Sequence, residues 1–166
     1  MPSYFGPTFI REIENLTKAL TPEKPALLIV GGSKISTKLD LIQQYLRQGV
    51  PVFVGGAMVH NIWKERGIEI GKSLYDPSYR LPESFVNHPL LFTPRDVILT
   101  DGNTVPFNKI PTDGMVVDCG TESVAMVEKM IQESKTVIAN GPLGLYEKGW
   151  RKGSELILTS LAHAQA

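Results

Sequence analysis

The stretch Ala26–Asp40 constrains the fold more than any other part of this sequence. Five apolar residues, Ala26–Val30, run without alternation into Gly31-Gly32, and a helical pattern follows. An unbroken apolar run of this length is typical of a strand that is buried on both faces of a parallel sheet. Val50–Val54 repeats the arrangement, because it runs into Gly55-Gly56 and a second helical pattern. This repetition predicts βαβ units and an α/β fold, namely a Rossmann-like parallel sheet with helices on both faces.

Hydrophobic spacing predicts the other elements of the chain. Further helices are predicted over Phe9–Leu20, from Thr121 as the N-cap residue through Ile131, and over Gly153–Ala164. A strand is predicted at Thr136–Ala139. Leu90–Phe92 and Val97–Leu99 are predicted to form one strand that is kinked at Pro94. Another apolar run lies at Gly114–Val117. Residues 101–112 are predicted to form a surface loop or a short hairpin.

Composition and charge argue against several classes of function. Lys+Arg and Asp+Glu both number 17, so the net charge is zero and a general nucleic-acid or acidic-membrane surface is not expected. Cys119 is the only cysteine, which excludes an intrachain disulfide and favours a cytoplasmic setting. We interpret Cys119 as a small buried residue. His60, His88 and His163 lack ligand spacing, so they are interpreted as structural or surface residues and no metal site is expected. No signal peptide or transmembrane run is expected either.

The first glycine turn carries a candidate phosphate site, since a strand, a glycine turn and a helix N-terminus together often bind phosphate. Ser33 is a candidate N-cap of the helix, and the spacing of Lys34 and Lys38 places both on one face of its first turns. Cations there oppose the helix dipole, so two lysines favour an anion between them. The alternative is that both lysines are solvated surface residues. The stretch lacks the Walker A loop and the GxGxxG dinucleotide fingerprint.

Three other turns carry candidate functional residues whose roles the sequence leaves open. Gly55-Gly56 either admits a ligand close to the backbone or is a plain tight turn. Asn140 either donates to a phosphate or caps a turn, and Glu147 either accepts a hydrogen bond from a ribose hydroxyl or is simply solvated. Asp118 is a candidate metal ligand or helix cap.

Four motifs, in this order, resemble the phosphoglycerate kinase family. Gly31–Ile42, GGSKISTKLDLI, is similar to the family's GGAKVSDKI segment, and Val54–Leu74 resembles its GGGMAxTFL…EIGKSL segment. Val117–Ser123, VDCGTES, and Ala139–Trp150, ANGPLGLYEKGW, resemble its D-C/I-G-P-E/K-S and WNGPxGVFE segments. The resemblance covers almost the whole chain, and it is specific because the four motifs keep their order and similar spacing.

The resemblance implies a part in phosphoryl transfer between 1,3-bisphosphoglycerate and ADP, which gives 3-phosphoglycerate and ATP in glycolysis. It assigns Lys38 a catalytic role, as the cation that stabilises the phosphoryl group in transfer, and it assigns Lys34 to the nucleotide phosphates. The other nucleotide-binding residues that it implies are Gly31, Gly32, Ser33, Gly55, Gly56, Asn140, Gly141, Pro142 and Glu147. ATP or ADP would be bound with Mg²⁺, although the family's metal-binding aspartate is not present in this chain.

The resemblance also implies the domain organisation. Residues 1–24 correspond to the helix that links the family's two lobes, and residues 25–166 correspond to part of the C-terminal, nucleotide-binding lobe. The family's lobe has six strands in the order 3-2-1-4-5-6, of which this chain carries the first four. Thr136–Ala139 is therefore predicted to be an exposed edge strand, which is a template for pairing with another chain.

The expected ligands and partners follow from this incomplete lobe. We expect a nucleotide as ligand, and as partners either the missing lobe or segments of the enzyme or a second copy bound through the edge strand. The chain alone is expected to be inactive. Two alternatives are a non-catalytic nucleotide- or partner-binding module and one piece of a split enzyme.

Overall fold

The chain contains both helices and strands, and the computed structural model describes residues 6–164. The helices are α1 Pro7–Leu20, α2 Leu39–Arg47, α3 Val59–Glu65, α4 Glu83–Val86, α5 Thr121–Gln132 and α6 Lys152–Ala164. The strands are β1 Ala26–Val30, β2 Val52–Val54, β3 Leu91–Phe92, β4 Asp96–Leu99, β5 Thr104–Pro106, β6 Val116–Cys119 and β7 Thr136–Asn140. Three 3₁₀-helices cover Ile35–Thr37, Phe107–Lys109 and Tyr146–Lys148.

Four strands form a parallel sheet in the order β3-β2-β1-β7. Leu28 in β1 lies opposite Val52 on one side and Ile138 on the other. Along the chain these are the first, second, third and last of the parallel strands, so the order 3-2-1-4 agrees with the prediction. β7 lies at one edge, and its last two residues, Ala139 and Asn140, are exposed.

The side chains of the central strands alternate between two cores, because successive residues of a strand point to opposite faces. Leu28 and Val30 belong to the core that contains residues of α2 and α3. Leu27 and Ile29 belong to the core that contains residues of α5 and α6. Helices therefore cover both faces of the sheet, and the predicted α/β fold is confirmed.

The prediction of a single strand kinked at Pro94 is wrong. β3 pairs in parallel with β2, whereas β4 belongs to a separate antiparallel sheet of order β5-β4-β6. The chain changes sheets here because Asp96, at the start of β4, binds the N-terminus of α5. Its carboxylate accepts hydrogen bonds from the backbone N–H groups of Glu122 (3.1 Å) and Ser123 (2.8 Å).

The predicted N-cap of α5 is also wrong, because the helix begins at Thr121 and Gly120 is its N-cap residue. Asp96 supplies the capping oxygens from another strand, so no local side chain is needed. Residues 101–112, predicted as a surface loop or a short hairpin, contain β5, which pairs with β4 in antiparallel orientation. The first strand of this hairpin, β4, precedes the predicted stretch.

The first helix contacts the rest of the protein through its C-terminal end. Tyr45 donates a hydrogen bond from its hydroxyl to the carbonyl oxygen of Ala19, and Gln48 donates to that of Leu20 at 3.1 Å. The assignment of residues 1–24 as an inter-lobe segment stays a prediction, and its residues 1–5 lie outside the described part, as do residues 165–166 of the second segment. Every helix within residues 6–164 is too short or too polar to cross a membrane.

Candidate functional site

The glycine-rich turns meet at one edge of the parallel sheet. β1, β2 and β7 are neighbours and run in the same direction, so their carboxyl ends share that edge. The N–H of Gly31 donates to the carbonyl oxygen of Asn140 at 2.8 Å, and the N–H of Gly55 donates to that of Val30 at 2.8 Å. Ligands of open α/β sheets bind outside the carboxyl ends of the strands, so this edge is the candidate site.

The turns after β1, β2 and β7 pack backbone against backbone. Gly56 has a φ of +65°, and a Cβ added to it would lie 2.7 Å from the backbone nitrogen and oxygen of Gly32. A Cβ on Gly31 would collide with the carbonyl of Pro142, and one on Gly141 would lie 2.5 Å from the carbonyl oxygen of Gly31. Five of the predicted binding residues therefore lie together, and the close approach of the backbones requires glycine at Gly31, Gly56 and Gly141.

The helix after the first turn differs from the prediction. A 3₁₀-helix, Ile35–Thr37, precedes α2, so Ser33 is not the N-cap of the helix and is exposed. Lys34 precedes the 3₁₀-helix and Lys38 follows it, so the two lysines do not share the first α-helical turns as predicted. The reason is that the tighter 3₁₀ turn places Ile35 in the core, where it is fully buried.

Lys38 contacts the turn that follows β7. Its Nζ donates a hydrogen bond to Oδ1 of Asn140, which joins two predicted site residues that are 102 positions apart in the sequence. An ammonium group has three donor hydrogens, so Lys38 keeps donors for a second acceptor. Within the described part of the chain, neither Lys34 nor Lys38 belongs to a salt bridge. Two lysines without a paired carboxylate favour an anionic ligand at this edge.

Two predicted residues lie at the margin of this arrangement. Glu147 is exposed in the 3₁₀-helix Tyr146–Lys148. Lys34 is exposed. Hydrogen bonds from Ser78 lower the pKa of the Asp76 carboxyl, and the charge of Lys34 lowers this pKa further. The structure thus brings together the glycine turns, Asn140 and Lys38, and it leaves Lys34 and Glu147 exposed around them.

A small pocket opens beside Gly56, one of the two glycines for which the sequence left a ligand role open. Its enclosed part holds about 20 Å³, the size of one water molecule, and with its mouth it spans about 390 Å³. Its walls are mostly apolar and come from the turn after β2, from α3, from β6 and from the turn after β7. They include Gly56, His60, Leu74, Val117, Leu143 and Leu145. The enclosed space is large enough for a water molecule and too small for a nucleotide base.

His60, in the wall of this pocket, is a buried polar residue, with 2% of its surface exposed. Nδ1 lies 2.6 Å from the carbonyl oxygen of Leu74, which can only accept, so Nδ1 carries the proton. Burial lowers the pKa of His60 to about 4, so the ring is neutral near pH 7. Nε2 has no hydrogen-bond partner within residues 6–164. A buried acceptor left unpaired costs about 1–3 kcal/mol.

Asp118, which also lines the pocket, acts as a helix cap. Its carboxylate accepts hydrogen bonds from the N–H groups of Cys119 (2.8 Å) and Gly153 (3.0 Å), the latter in the first turn of α6. Burial raises the pKa of this carboxyl, and the hydrogen bonds from Gly153 and Cys119 lower it in part. Of the two roles that the sequence left open, the contacts favour the cap. Cys119 is buried as predicted, and burial raises the pKa of its thiol.

A larger groove, of about 850 Å³, lies at the opposite edge of the sheet. It runs along the start of β1 and along α5, and its walls include Pro25, Phe92, Met126 and Met130. None of the predicted binding residues lines it. Volume alone would favour this groove, but the unpaired lysines and the convergent turns favour the carboxyl edge.

The fold is that of a parallel α/β protein with a candidate anion-binding site at the carboxyl edge of its sheet. The sequence profile of the phosphoglycerate kinase family matches residues 1–166. The chain is 33% identical to phosphoglycerate kinase of Pelotomaculum thermopropionicum over its whole length, which is 46% of that protein. It is 36% identical to the enzyme of Wigglesworthia glossinidia brevipalpis over 99% of this chain and 44% of that protein.

Solved structures agree with the sequence comparison. Phosphoglycerate kinase from Coxiella burnetii superposes with a TM-score of 0.87 at 29% identity, over 97% of this chain and 45% of that one. The enzyme from Pyrococcus horikoshii shares the fold, with a TM-score of 0.76 at 20% identity, over 95% of this chain and 44% of that one. The chain belongs to the phosphoglycerate kinase family, and it spans less than half the length of these relatives.

Proposed function

We propose that this chain is the nucleotide-binding part of a phosphoglycerate kinase and binds ADP or ATP at the carboxyl edge of its parallel sheet. The observation that carries the proposal is the contact between Lys38 and Asn140. It joins the turns after β1 and β7 beside the close backbone contact of Gly32 and Gly56. It also leaves a positive charge without a carboxylate partner within the described residues.

The proposed roles follow the position of each group. Lys34 binds the nucleotide phosphates, and Lys38 neutralises charge on the phosphoryl group as it moves. The backbone N–H groups of the turn after β1 face the phosphates, and the base lies against the turn after β2. The residues assigned to these turns are Gly31, Gly32, Ser33, Gly55 and Gly56. Asn140, Gly141 and Pro142, at the end of β7 and in the turn after it, form one wall of the site. Glu147 accepts hydrogen bonds from the ribose hydroxyls.

In the complete enzyme this site would serve transfer of a phosphoryl group from 1,3-bisphosphoglycerate to ADP, with release of 3-phosphoglycerate and ATP. Mg²⁺ bound to the nucleotide would neutralise phosphate charge during transfer. The phosphoglycerate-binding lobe and the metal-binding aspartate would come from segments other than this chain. We therefore expect no turnover from the chain alone, and we place the complete enzyme in the cytoplasm, as part of glycolysis.

A second candidate function is a binding module that pairs through its edge strand. The observation that favours it is the position of β7, which exposes Ala139 and Asn140 and, within residues 6–164, pairs only with β1. An unpaired strand edge accepts another strand, either from a missing segment of the enzyme or from a second copy. This function predicts a specific oligomer whose formation does not depend on Lys38.

Calorimetric titration with ADP and Mg²⁺ tests the first function. We expect binding by the chain that is weakened by Lys34→Ala and by Lys38→Ala. Lys129→Ala is the matched control, because Lys129 is exposed on α5, where it pairs with Glu133. Equal affinities for all three variants would contradict a phosphate site at these lysines.

A further inference from the structure

The buried carboxylate of Asp118 lies at the base of the loop that follows β7. Oδ2 accepts a hydrogen bond from the N–H of Gly153 at 3.0 Å, and Oδ1 accepts one from the N–H of Cys119 at 2.8 Å. A Cβ added to Gly144 would lie 2.6 Å from Oδ1 of Asp118, and one added to Gly153 would lie 2.7 Å from the same atom. Residues 144–153, called here the 144–153 loop, therefore have both ends packed against one side chain of β6.

The 144–153 loop is also held together by its own backbone. The N–H of Leu145 donates to the carbonyl oxygen of Val117 at 2.8 Å. The carbonyl oxygen of Leu145 accepts from the N–H groups of Lys148 (2.9 Å) and Trp150 (3.3 Å). Glu147 is exposed within this hydrogen-bonded stretch. Because the stretch is braced internally, the position of Glu147 depends on how the ends of the loop are held.

The base of the loop is joined to the turn after β2. The N–H of Leu143 donates to Oγ of Ser154 at 2.9 Å, and the carbonyl oxygen of Leu143 accepts from the N–H of Gly56 at 3.1 Å. Leu143 and Ser154 flank the loop in the sequence, and both are buried. A displacement of the loop ends would therefore move Glu147 relative to Gly56.

We infer that Asp118 is a positioning residue of the nucleotide site, which holds both ends of the 144–153 loop and thereby places the carboxylate of Glu147 for the ribose hydroxyls. This inference rests on the proposed function, because it takes Glu147 as the acceptor for the ribose. It adds to the site a buried residue that acts on the nucleotide only through Glu147.

A rival explanation is that Asp118 only caps α6 and stabilises the fold. Asp96 provides the comparison, because it is also a buried capping aspartate, 5% exposed against 2% for Asp118. Within residues 6–164 the hydrogen bonds to its carboxylate come from Glu122 and Ser123, at the start of α5. Asp96 therefore has the same structural task without a hydrogen bond to the 144–153 loop.

The test compares ADP with 2′,3′-dideoxy-ADP, which lacks both ribose hydroxyls, by calorimetric titration in the presence of Mg²⁺. The unaltered chain should bind ADP about tenfold more tightly, since a hydrogen bond to a charged group has about this effect or more. Glu147→Ala should bring this preference close to one. Asp118→Asn keeps the shape of the side chain but replaces one acceptor with a donor, and it should lower the preference to about the same value.

Two further variants separate positioning from stability. Asp96→Asn should lower the free energy of unfolding as Asp118→Asn does, yet keep the preference for ADP. The double variant Asp118→Asn/Glu147→Ala should lose no more preference than Glu147→Ala alone, because Asp118 acts through Glu147. An Asp118→Asn chain that keeps the full preference, or an equal loss of preference in Asp96→Asn, would overturn the positioning role.

A second measurement needs no variant and covers the case in which Asp118→Asn does not fold. Coupling is reciprocal, so a nucleotide that contacts Glu147 should in turn hold the loop ends against Asp118. At equal occupancy, ADP should slow hydrogen exchange of the Gly153 amide about tenfold more than dideoxy-ADP does. The Ser123 amide, which donates to Asp96 at 2.8 Å, is the internal control and should not distinguish the two nucleotides. Equal slowing of the Gly153 amide by both nucleotides would contradict the inference.

The outcomes separate this inference from the proposed function. If ADP binds with the expected preference and Asp118→Asn leaves that preference intact, the positioning role is wrong and nucleotide binding stands. If the unaltered chain binds ADP and dideoxy-ADP equally, the ribose role of Glu147 and the positioning role of Asp118 are both overturned, while phosphate binding stands. If neither nucleotide binds at millimolar concentration, the proposed function and the inference are overturned together.

Discussion

Lys38 donates a hydrogen bond from Nζ to Oδ1 of Asn140, across 102 positions of the chain. The contact brings a cation from the turn after β1 to the end of β7, beside the backbone crossing of the glycine turns. A side chain held in this way is positioned before any ligand arrives, which reduces the cost of ordering it on binding.

The first prediction concerns the charge of Lys38. Lys38→Met keeps the length of the side chain and removes its charge. The dissociation constant for ADP should rise about tenfold or more, because a hydrogen bond to a charged group contributes about 1.5–3 kcal/mol. Calorimetry measures the change, with Lys129→Met as the control. An unchanged dissociation constant would show that Lys38 does not contact the phosphates.

The second prediction concerns the packing of the glycine turns. Gly56 and Gly67 both have positive φ, but a Cβ on Gly67 meets nothing within 4 Å, whereas one on Gly56 meets the backbone of Gly32. Gly67→Ala should lower the free energy of unfolding by about 1 kcal/mol through backbone strain alone. Gly56→Ala should cost at least about 1 kcal/mol more. Urea denaturation measures both, and equal losses would contradict the close packing of the turns.

The third prediction is a pH dependence due to His60. Its pKa is about 4 in the folded chain against an ordinary value of 6.5, so below pH 6.5 the unfolded chain binds more protons than the folded chain. The free energy of unfolding should therefore fall as the pH falls from 6.5 to 4, by about 3 kcal/mol in total from this group.

His60→Phe provides the control for that pH dependence. Carboxylates such as Asp118 titrate in both proteins, so the difference between the two stability profiles isolates His60. Chemical denaturation at a series of pH values measures both profiles. Parallel profiles between pH 6.5 and 4 would mean that His60 is not buried in its neutral form.

The fourth prediction concerns the edge strand β7. Ala139 and Asn140 are exposed on a strand that has one neighbour among the described strands. The chain should therefore self-associate in a concentration-dependent manner. Ala139→Lys should shift the equilibrium toward monomer, since a lysine on an edge strand opposes pairing. Gel filtration with light scattering measures the oligomeric state of the parent chain and of the Ala139→Lys variant. A strictly monomeric, stable parent chain would contradict an exposed pairing edge.

The parallel sheet was accessible from the sequence because its signals are local. Ala26–Val30 is apolar without alternation and ends at two glycines, and the structure buries all five residues. The same reasoning predicted β2 and β7, and the order of the strands followed from the resemblance to the family. The glycine turns meet at one edge because neighbouring parallel strands end there.

The remaining features depend on contacts between distant segments. The 3₁₀-helix at Ile35–Thr37 forms as Ile35 enters the core, and a spacing argument that assumes a continuous α-helix misplaces Lys34 and Lys38. The start of β4 is set by the hydrogen bonds of Asp96 to α5, about 26 residues further along the chain. A lone histidine carries no signal of its own, and only the fold brings Leu74 to His60.

The most direct test of nucleotide binding at the carboxyl edge is an amide NMR titration of the chain with ADP and Mg²⁺. The proposed site predicts shifts that cluster at Gly31–Lys38, Gly55-Gly56 and Asn140–Glu147, and that are reduced in Lys34→Ala. Shifts confined to the groove around Met126 and Met130, or none at millimolar ADP, would contradict it.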